Sequence, residues 1–193
     1  MPTLYLSTEP EADALLASDP LALLIGMLLD QQFPLERAFV APYRLAERMG
    51  TTRLDAATIA DYDPAALAAI FAKPPALHRF HGAMAARTQQ LCRVIADEYG
   101  GDAAAVWRGA ATGAELLKRV GKLPGFGKQK AQIFVALLGK QFGVQPEGWR
   151  AAAGVYGEEG SYRSVADITD AASLARVRDY KQQLKAAAKA DRR

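Results

Sequence analysis

The run Leu116 to Ala131 constrains this chain more than any other part of it. An amphipathic stretch, Leu116-Leu117-Lys118-Arg119-Val120, runs into Gly121-Lys122-Leu123-Pro124-Gly125-Phe126-Gly127, and a second apolar helix, Gln132 to Lys140, follows at once. Pro124 fixes φ, while Gly125 and Gly127 lack side chains and permit positive φ, so the chain must reverse sharply between two helices. Ala131 is small where those helices have to pack closely. Backbone N–H groups of the corner then point outward with the N-terminus of the second helix behind them, which favours an anion such as a phosphate. Lys122, Lys128 and Lys130 surround that spot. The pattern reads as a helix-hairpin-helix; the plainer alternative is a corner that glycines merely cap.

The rest of the composition fits a helical protein. Half of the 193 residues are hydrophobic, alanine is abundant and runs rich in Val, Ile or Thr are scarce, so an all-α fold is expected, as a single domain of two closely packed lobes over residues 1–193. Net charge is only +3, so nucleic-acid binding would have to come from local clusters of Lys and Arg. Those occur at Lys118 to Lys140 and from Arg176 to the end. The single cysteine, Cys92, cannot form an intramolecular disulfide or a metal cluster. Leu21 to Leu29 is too short to cross a membrane, and a cytoplasmic, monomeric protein with no membrane partner is expected, nucleoid-associated if bacterial.

Along the chain, a helix is expected from Glu9 to Ala17, and Ser18-Asp19-Pro20 reads as the cap and first turn of a second. That second helix is apolar all round, hence buried, and it delivers Asp30-Gln31-Gln32 to a surface or cleft. The next, Leu35 to Met49, contains Pro42, which predicts a kink or split. Shorter helices follow near Leu54 to Ala60 and Pro64 to Phe71, then a long one from Gly82 to Tyr99 that stops at Gly100-Gly101. After the hairpin, about 114–140, residues 144–193 are less regular until Asp170 caps a last helix. Leu174, Val177 and Leu184 are spaced along it to dock on a core.

Three stretches carry a family resemblance. Leu123 to Ala131 resembles the hairpin of the HhH-GPD superfamily of DNA glycosylases, which includes endonuclease III. Leu24 to Gln32 resembles that family's early apolar helix ending in Gln, and Phe80 to Cys92 the helix start that precedes the hairpin. The resemblance implies base excision repair on double-stranded DNA, with the hairpin as backbone anchor and Gln32, with Gln31, as the side chain that enters the duplex beside a flipped nucleotide. It also implies a monovalent cation on the hairpin carbonyls. The four cysteines of iron–sulfur members are lacking, so no such cluster and no other cofactor is expected. At the position of the family's Schiff-base lysine stands Gln129, and an amide cannot be that nucleophile, which implies a monofunctional, water-using glycosylase.

The catalytic carboxylate is less defined. Counting eighteen residues on from Gln129 puts the family's aspartate at Glu147, although aligning on Phe142-Gly143 gives Arg150 instead; Glu147 is equally a helix-start acid. Asp30 is a second candidate, facing the cleft or simply solvated at a helix end, and Asp167 a third. His78 and His81 read as surface or phosphate-facing residues without a third metal ligand. Phe33, Tyr43, Phe80, Trp107, Phe126 and Trp149 are either pocket or core. The rivals to a glycosylase are a non-catalytic DNA-binding or lesion-recognition protein and a small helical interaction module. For DNA contact the residues are therefore Gln31, Gln32, Lys122, Leu123, Gly125, Gly127, Lys128, Gln129 and Lys130.

Overall fold

A computed structural model describes residues 1–192, and among them there are ten α-helices and no strand. The first six are α1 (Pro10–Ser18), α2 (Pro20–Leu29), α3 (Leu35–Arg48), α4 (Ala56–Ala60), α5 (Pro64–Ala72) and α6 (His81–Tyr99). They pack on one another as one group. The hairpin helices α7 (Gly113–Gly121) and α8 (Lys128–Gln141) pack with the short α9 (Trp149–Ala153) as a second, and a 3₁₀ turn at Ala103–Val106 touches α2, α6 and α7 between the groups. The last helix, α10 (Ala171–Ala190), follows a 3₁₀ turn at Val165–Asp167.

Local chemistry explains most of the boundaries. Asp19 caps α2 by accepting from Leu21 and Ala22 N–H, with Pro20 in the first turn, and its second oxygen accepts from Leu54 N at 3.0 Å, tying the α3–α4 connection to the same carboxylate. Asp55 caps α4 and Asp63 caps α5. Asp170 and Ser173 form a capping box at the start of α10. Every residue from Leu21 to Leu29 is buried, so α2 is the axis of its group, as its lack of a polar face requires. The buried Asp13 carboxylate accepts from Leu6 and Ser7 N–H and pins the N-terminal segment to α1.

Two expectations need correction, a split at Pro42 and the docking of Leu184. Helix α3 continues through Pro42 as one element, with Pro42 itself buried, so the ring is accommodated by the core and does not divide the helix. In α10, Leu174 and Val177 are buried but Leu184 is 51% exposed, because the helix leaves the body before reaching it. Cys92 is fully buried in α6, and burial pushes its thiol up to about 12, which leaves it inert at neutral pH. No single helix among the described residues is long and apolar enough to cross a membrane.

Candidate nucleic-acid interface and catalytic cleft

The hairpin has the shape its sequence implies, with one difference. Gly125 lies at φ +83°, and a Cβ built on it would stand 2.2 Å from Leu28 Cδ1, so only glycine lets the turn close against α2. Gly127 has an ordinary φ of −71°, contrary to the expectation of a second positive-φ glycine, and a Cβ there would meet nothing within 4 Å. What Gly127 keeps is open space over the first turn of α8, which no side chain caps. The leading amides of a helix have no acceptor four residues back, so this corner presents free donors at the positive end of the dipole. Leu123 and Phe126 are buried beneath it, and a Cβ added at Gly121 would reach only ordinary contact with Ala131, at 4.0 Å. Lys122 and Lys128 are exposed on either side.

Lys130 departs from the expected set. Its Nζ turns inward and donates to the carbonyls of Met27 at 2.7 Å, Leu28 at 3.0 Å and Asp30 at 3.3 Å, capping the C-terminus of α2. Burial depresses its pKa to about 8, with Asp30 acting in the opposite sense. It is therefore a clamp between α8 and α2, and does not stand beside Lys128 on the exposed surface. That clamp and the Gly125–Leu28 contact set the hairpin directly beside the end of α2, where the glutamines are.

Gln31 is tied down there, its Nε2 donating to Leu28 O at 2.9 Å and its Oε1 accepting from Arg87 at 3.3 Å. Gln32 is exposed, with a left-handed φ of +49° that a non-glycine residue adopts only when its surroundings impose it. Part of what imposes it is His78. Far from being at the surface, His78 is completely buried, with its ring between Phe33 and Phe80. Its Nδ1 accepts from Phe80 N–H at 3.0 Å, which leaves the proton on Nε2 to donate to Gln31 O, also at 3.0 Å. Burial lowers its pKa, consistent with this neutral tautomer. His81, by contrast, is exposed.

Beside these residues opens a cleft of about 1010 Å³, lined by Asp30, Gln31, Gln32 and Phe33, by Gln129 and Lys130 of α8, by Tyr156, and by one side of α10. Asp30 is half-buried at its edge; burial raises its carboxyl pKa, while Lys181 and Lys130 pull it back down. Gln129, at the lysine position, donates from Nε2 to Tyr156 Oη at 2.8 Å. That bond leaves the phenol proton of Tyr156 free to donate into the cleft. Tyr156 and Glu36 escaped the sequence reading, since each reaches the cleft by tertiary packing; the basic cluster from Arg176 onward is legible in the sequence, but its place along the cleft is not.

The other candidates fall elsewhere. Glu147 is exposed outside the cleft, and its contribution is a backbone one: its carbonyl accepts from Gly113 N at 2.7 Å. The next residues serve packing, for Trp149 fills a slot so tight that a Cβ on Gly113 or Gly139 would strike it at 2.5 or 2.3 Å. Arg150, the other alignment choice, donates to Gly157 O. Asp167 is buried in an ion pair with Lys140 at 2.6 Å and accepts from Arg163 N–H and Ser161, a structural cap. Among the six aromatics, Phe33 alone lines the cleft; Phe126 and Trp149 are core, and Trp107 packs edge-on to Phe134.

Comparison with curated proteins and with solved structures gave no match. A family model described as HhH-GPD superfamily base excision DNA repair protein matches residues 25–192, from the middle of α2 through the hairpin to the end of α10. An all-α chain whose hairpin corner is locked onto the end of α2, just before Gln31 and Gln32 and beside a cleft, thus belongs to the HhH-GPD superfamily of base excision DNA repair proteins, whose members are DNA glycosylases that bind DNA.

Proposed function

We propose that this chain is a monofunctional DNA glycosylase acting as a monomer on double-stranded DNA, with Asp30 as the catalytic carboxylate. The observation that carries this reading is the position of Asp30: it adjoins Gln31 and Gln32, lines the cleft and is bracketed by two cationic side chains that favour its ionised form. The hairpin anchors the backbone through the amides of Gly127 and the first turn of α8, with Lys122 and Lys128 alongside. Gln32 enters the duplex where the nucleotide has left. In the cleft the C1′–N bond breaks with its electron pair going to the departing base. The oxygen of a water bonds to C1′ from the other face, and its proton goes to the Asp30 carboxylate, which also stabilises the cationic sugar. Gln129 and Tyr156 hold one another at the wall and offer the phenol O–H to base or water.

The absence of a Schiff-base step follows from the same side chains. Gln129 is no nucleophile, and the amine of Lys130 is held by three carbonyls. The hairpin carbonyls suit the cation that the resemblance implies. Leu123 O accepts one N–H, from Phe126, and keeps a second lone pair; such an ion would join the turn to a phosphate.

The test is release of free base from a panel of duplexes carrying single lesions or mismatches. Some member of the panel is hydrolysed to an abasic site by the parent and not by Asp30→Asn, with no adduct trapped by borohydride. A trapped adduct overturns the monofunctional reading. Binding without base release from any duplex favours the lesion-recognition alternative.

A further inference from the structure

The cleft has a second wall whose chemistry the hairpin reading does not use. Six cationic side chains line the cleft, Arg79, Lys130, Arg163, Arg178, Lys181 and Lys185, against two carboxylates, Asp30 and Glu36. The whole chain carries a formal net charge of only +3. The cleft lining alone thus holds more positive charge than the molecule, and the remaining surface has no net excess to offer an anionic partner.

Half of those cations belong to α10. Arg178, Lys181 and Lys185 are spaced three and four residues apart, so they share one helix face, and that face lines the cleft. The helix is held at its beginning by the capping box and by buried Leu174 and Val177. From Gln182 to Ala190 every residue is exposed. Leu184 stands among the cations on the cleft side, 51% exposed. A rigid helix that projects past the body with a basic face and one apolar side chain suits a nucleic-acid strand, whose phosphates alternate with apolar sugar edges.

We propose that α10 is a second DNA-binding wall, in which Arg178, Lys181 and Lys185 contact backbone phosphates of the strand whose nucleotide enters the cleft. The inference rests on the reading that DNA occupies this cleft, and it adds a gripping element on the side facing the hairpin. The carboxylates that oppose it are Glu36 of α3, paired with Arg178, and Asp30, which Lys181 faces. Asp179 of α10 lies outside the cleft lining. On this proposal a phosphate replaces Glu36 as the partner of Arg178.

The test uses the full chain and a fluorescein-labelled duplex containing a tetrahydrofuran abasic analogue, followed by anisotropy between about 50 and 200 mM KCl. The double variant Lys181→Gln/Lys185→Gln lowers the slope of log K against log salt by about 1.8, and weakens binding by up to about 60-fold near 0.1 M, the counterion-release limit for two phosphates. Lys189→Gln, on the same helix but outside the cleft lining, leaves the slope unchanged. An unchanged slope in the double variant overturns the proposal, and tighter binding overturns it too, since α10 would then be a cover that excludes DNA. If Gly127→Ala weakens binding while the double variant does not, the wall falls and the glycosylase reading stands. If the parent chain binds no duplex, both fall.

Discussion

The two hairpin glycines separate folding from function, and substituting each by alanine tests that separation. At Gly125 the φ of +83° costs a non-glycine residue about 1–2 kcal/mol, and a methyl 2.2 Å from Leu28 Cδ1 forces a rearrangement of the kind that costs about 1–3 kcal/mol in packed interiors. The total, about 2–5 kcal/mol, is a large part of a typical domain's stability and corresponds to about 4–20 °C in Tm for a chain of this length. At Gly127 the φ of −71° suits any residue and the new methyl meets no protein atom. The gain from a stiffer unfolded chain, about 0.4–1 kcal/mol, offsets the poorer capping by alanine, so Tm stays within a few degrees. The methyl does, however, stand where a phosphate approaches the leading amides of α8. Losing one charge-assisted hydrogen bond there, about 1.5–3 kcal/mol, weakens duplex binding roughly 10- to 150-fold. Thermal melts followed by circular dichroism and anisotropy titrations at fixed salt read both quantities. A Gly127→Ala protein that binds duplex as tightly as the parent, or a Gly125→Ala protein that melts with it, would refute the reasoning.

Two further outcomes concern the ionisable groups. Lys130→Met removes the cap on three carbonyls of α2 and lowers stability by about 1–3 kcal/mol, while the salt slope of DNA binding stays at the parent value because Nζ points inward; a normal melt with a slope reduced by about 0.9 would place Lys130 on DNA instead. Asp30 has a raised pKa, so glycosylase activity falls on acidification at a pH above the ordinary 3.8, and Lys181→Gln, by removing a cation that lowers that pKa, moves the acidic limb of the pH–rate profile upward. The same shift sets a sign for stability: the folded chain binds the Asp30 proton more tightly than the unfolded one. The ionised carboxylate therefore costs stability at neutral pH, a cost relieved as pH falls through the folded pKa. Asp30→Asn is accordingly more stable than the parent at pH 7, with an advantage that shrinks in acid, as parallel melts would report.

What the sequence discloses here is whatever is settled within a few residues. Asp19-Pro20 and Asp170 announce helix starts because a cap is a contact between neighbours in the chain. The unbroken apolar run of α2 announces burial, and Leu123-Pro124-Gly125 announces the corner. Lys130 shows where such reasoning stops. Its place on the helical wheel turns it away from Gln129, but its acceptors lie about a hundred residues earlier, and no local pattern gives them. His78 reads as a surface residue beside Arg79 until Phe33, Phe80 and the carbonyl of Gln31 enclose it. Glu147 matched a spacing, and spacing along the chain is not position in space: the residues after α8 turn toward α7, and the acid goes with them.

These placements together bear on how the chemistry is distributed. The hairpin helix offers no uncommitted amine to the cleft, since Gln129 stands at the expected position and Lys130, although it lines the cleft, donates its N–H groups to the end of α2. Nor does the segment after α8 bring a carboxylate to it. The carboxylate comes instead from Asp30, the C-cap of α2, which directly precedes Gln31 and Gln32 and whose helix Lys130 and Gly125 lock to the hairpin. On the proposed reading, the carboxylate, the side chain that enters the duplex and the backbone anchor share one junction and so move together. Loosening the junction through Lys130 or Gly125 must then impair binding and base release in step, whereas Asp30→Asn abolishes base release and leaves the anchor intact. Variants at these three positions that failed to divide in this way would show that the carboxylate doing the work lies elsewhere in the cleft, with Glu36 of α3 the next to test.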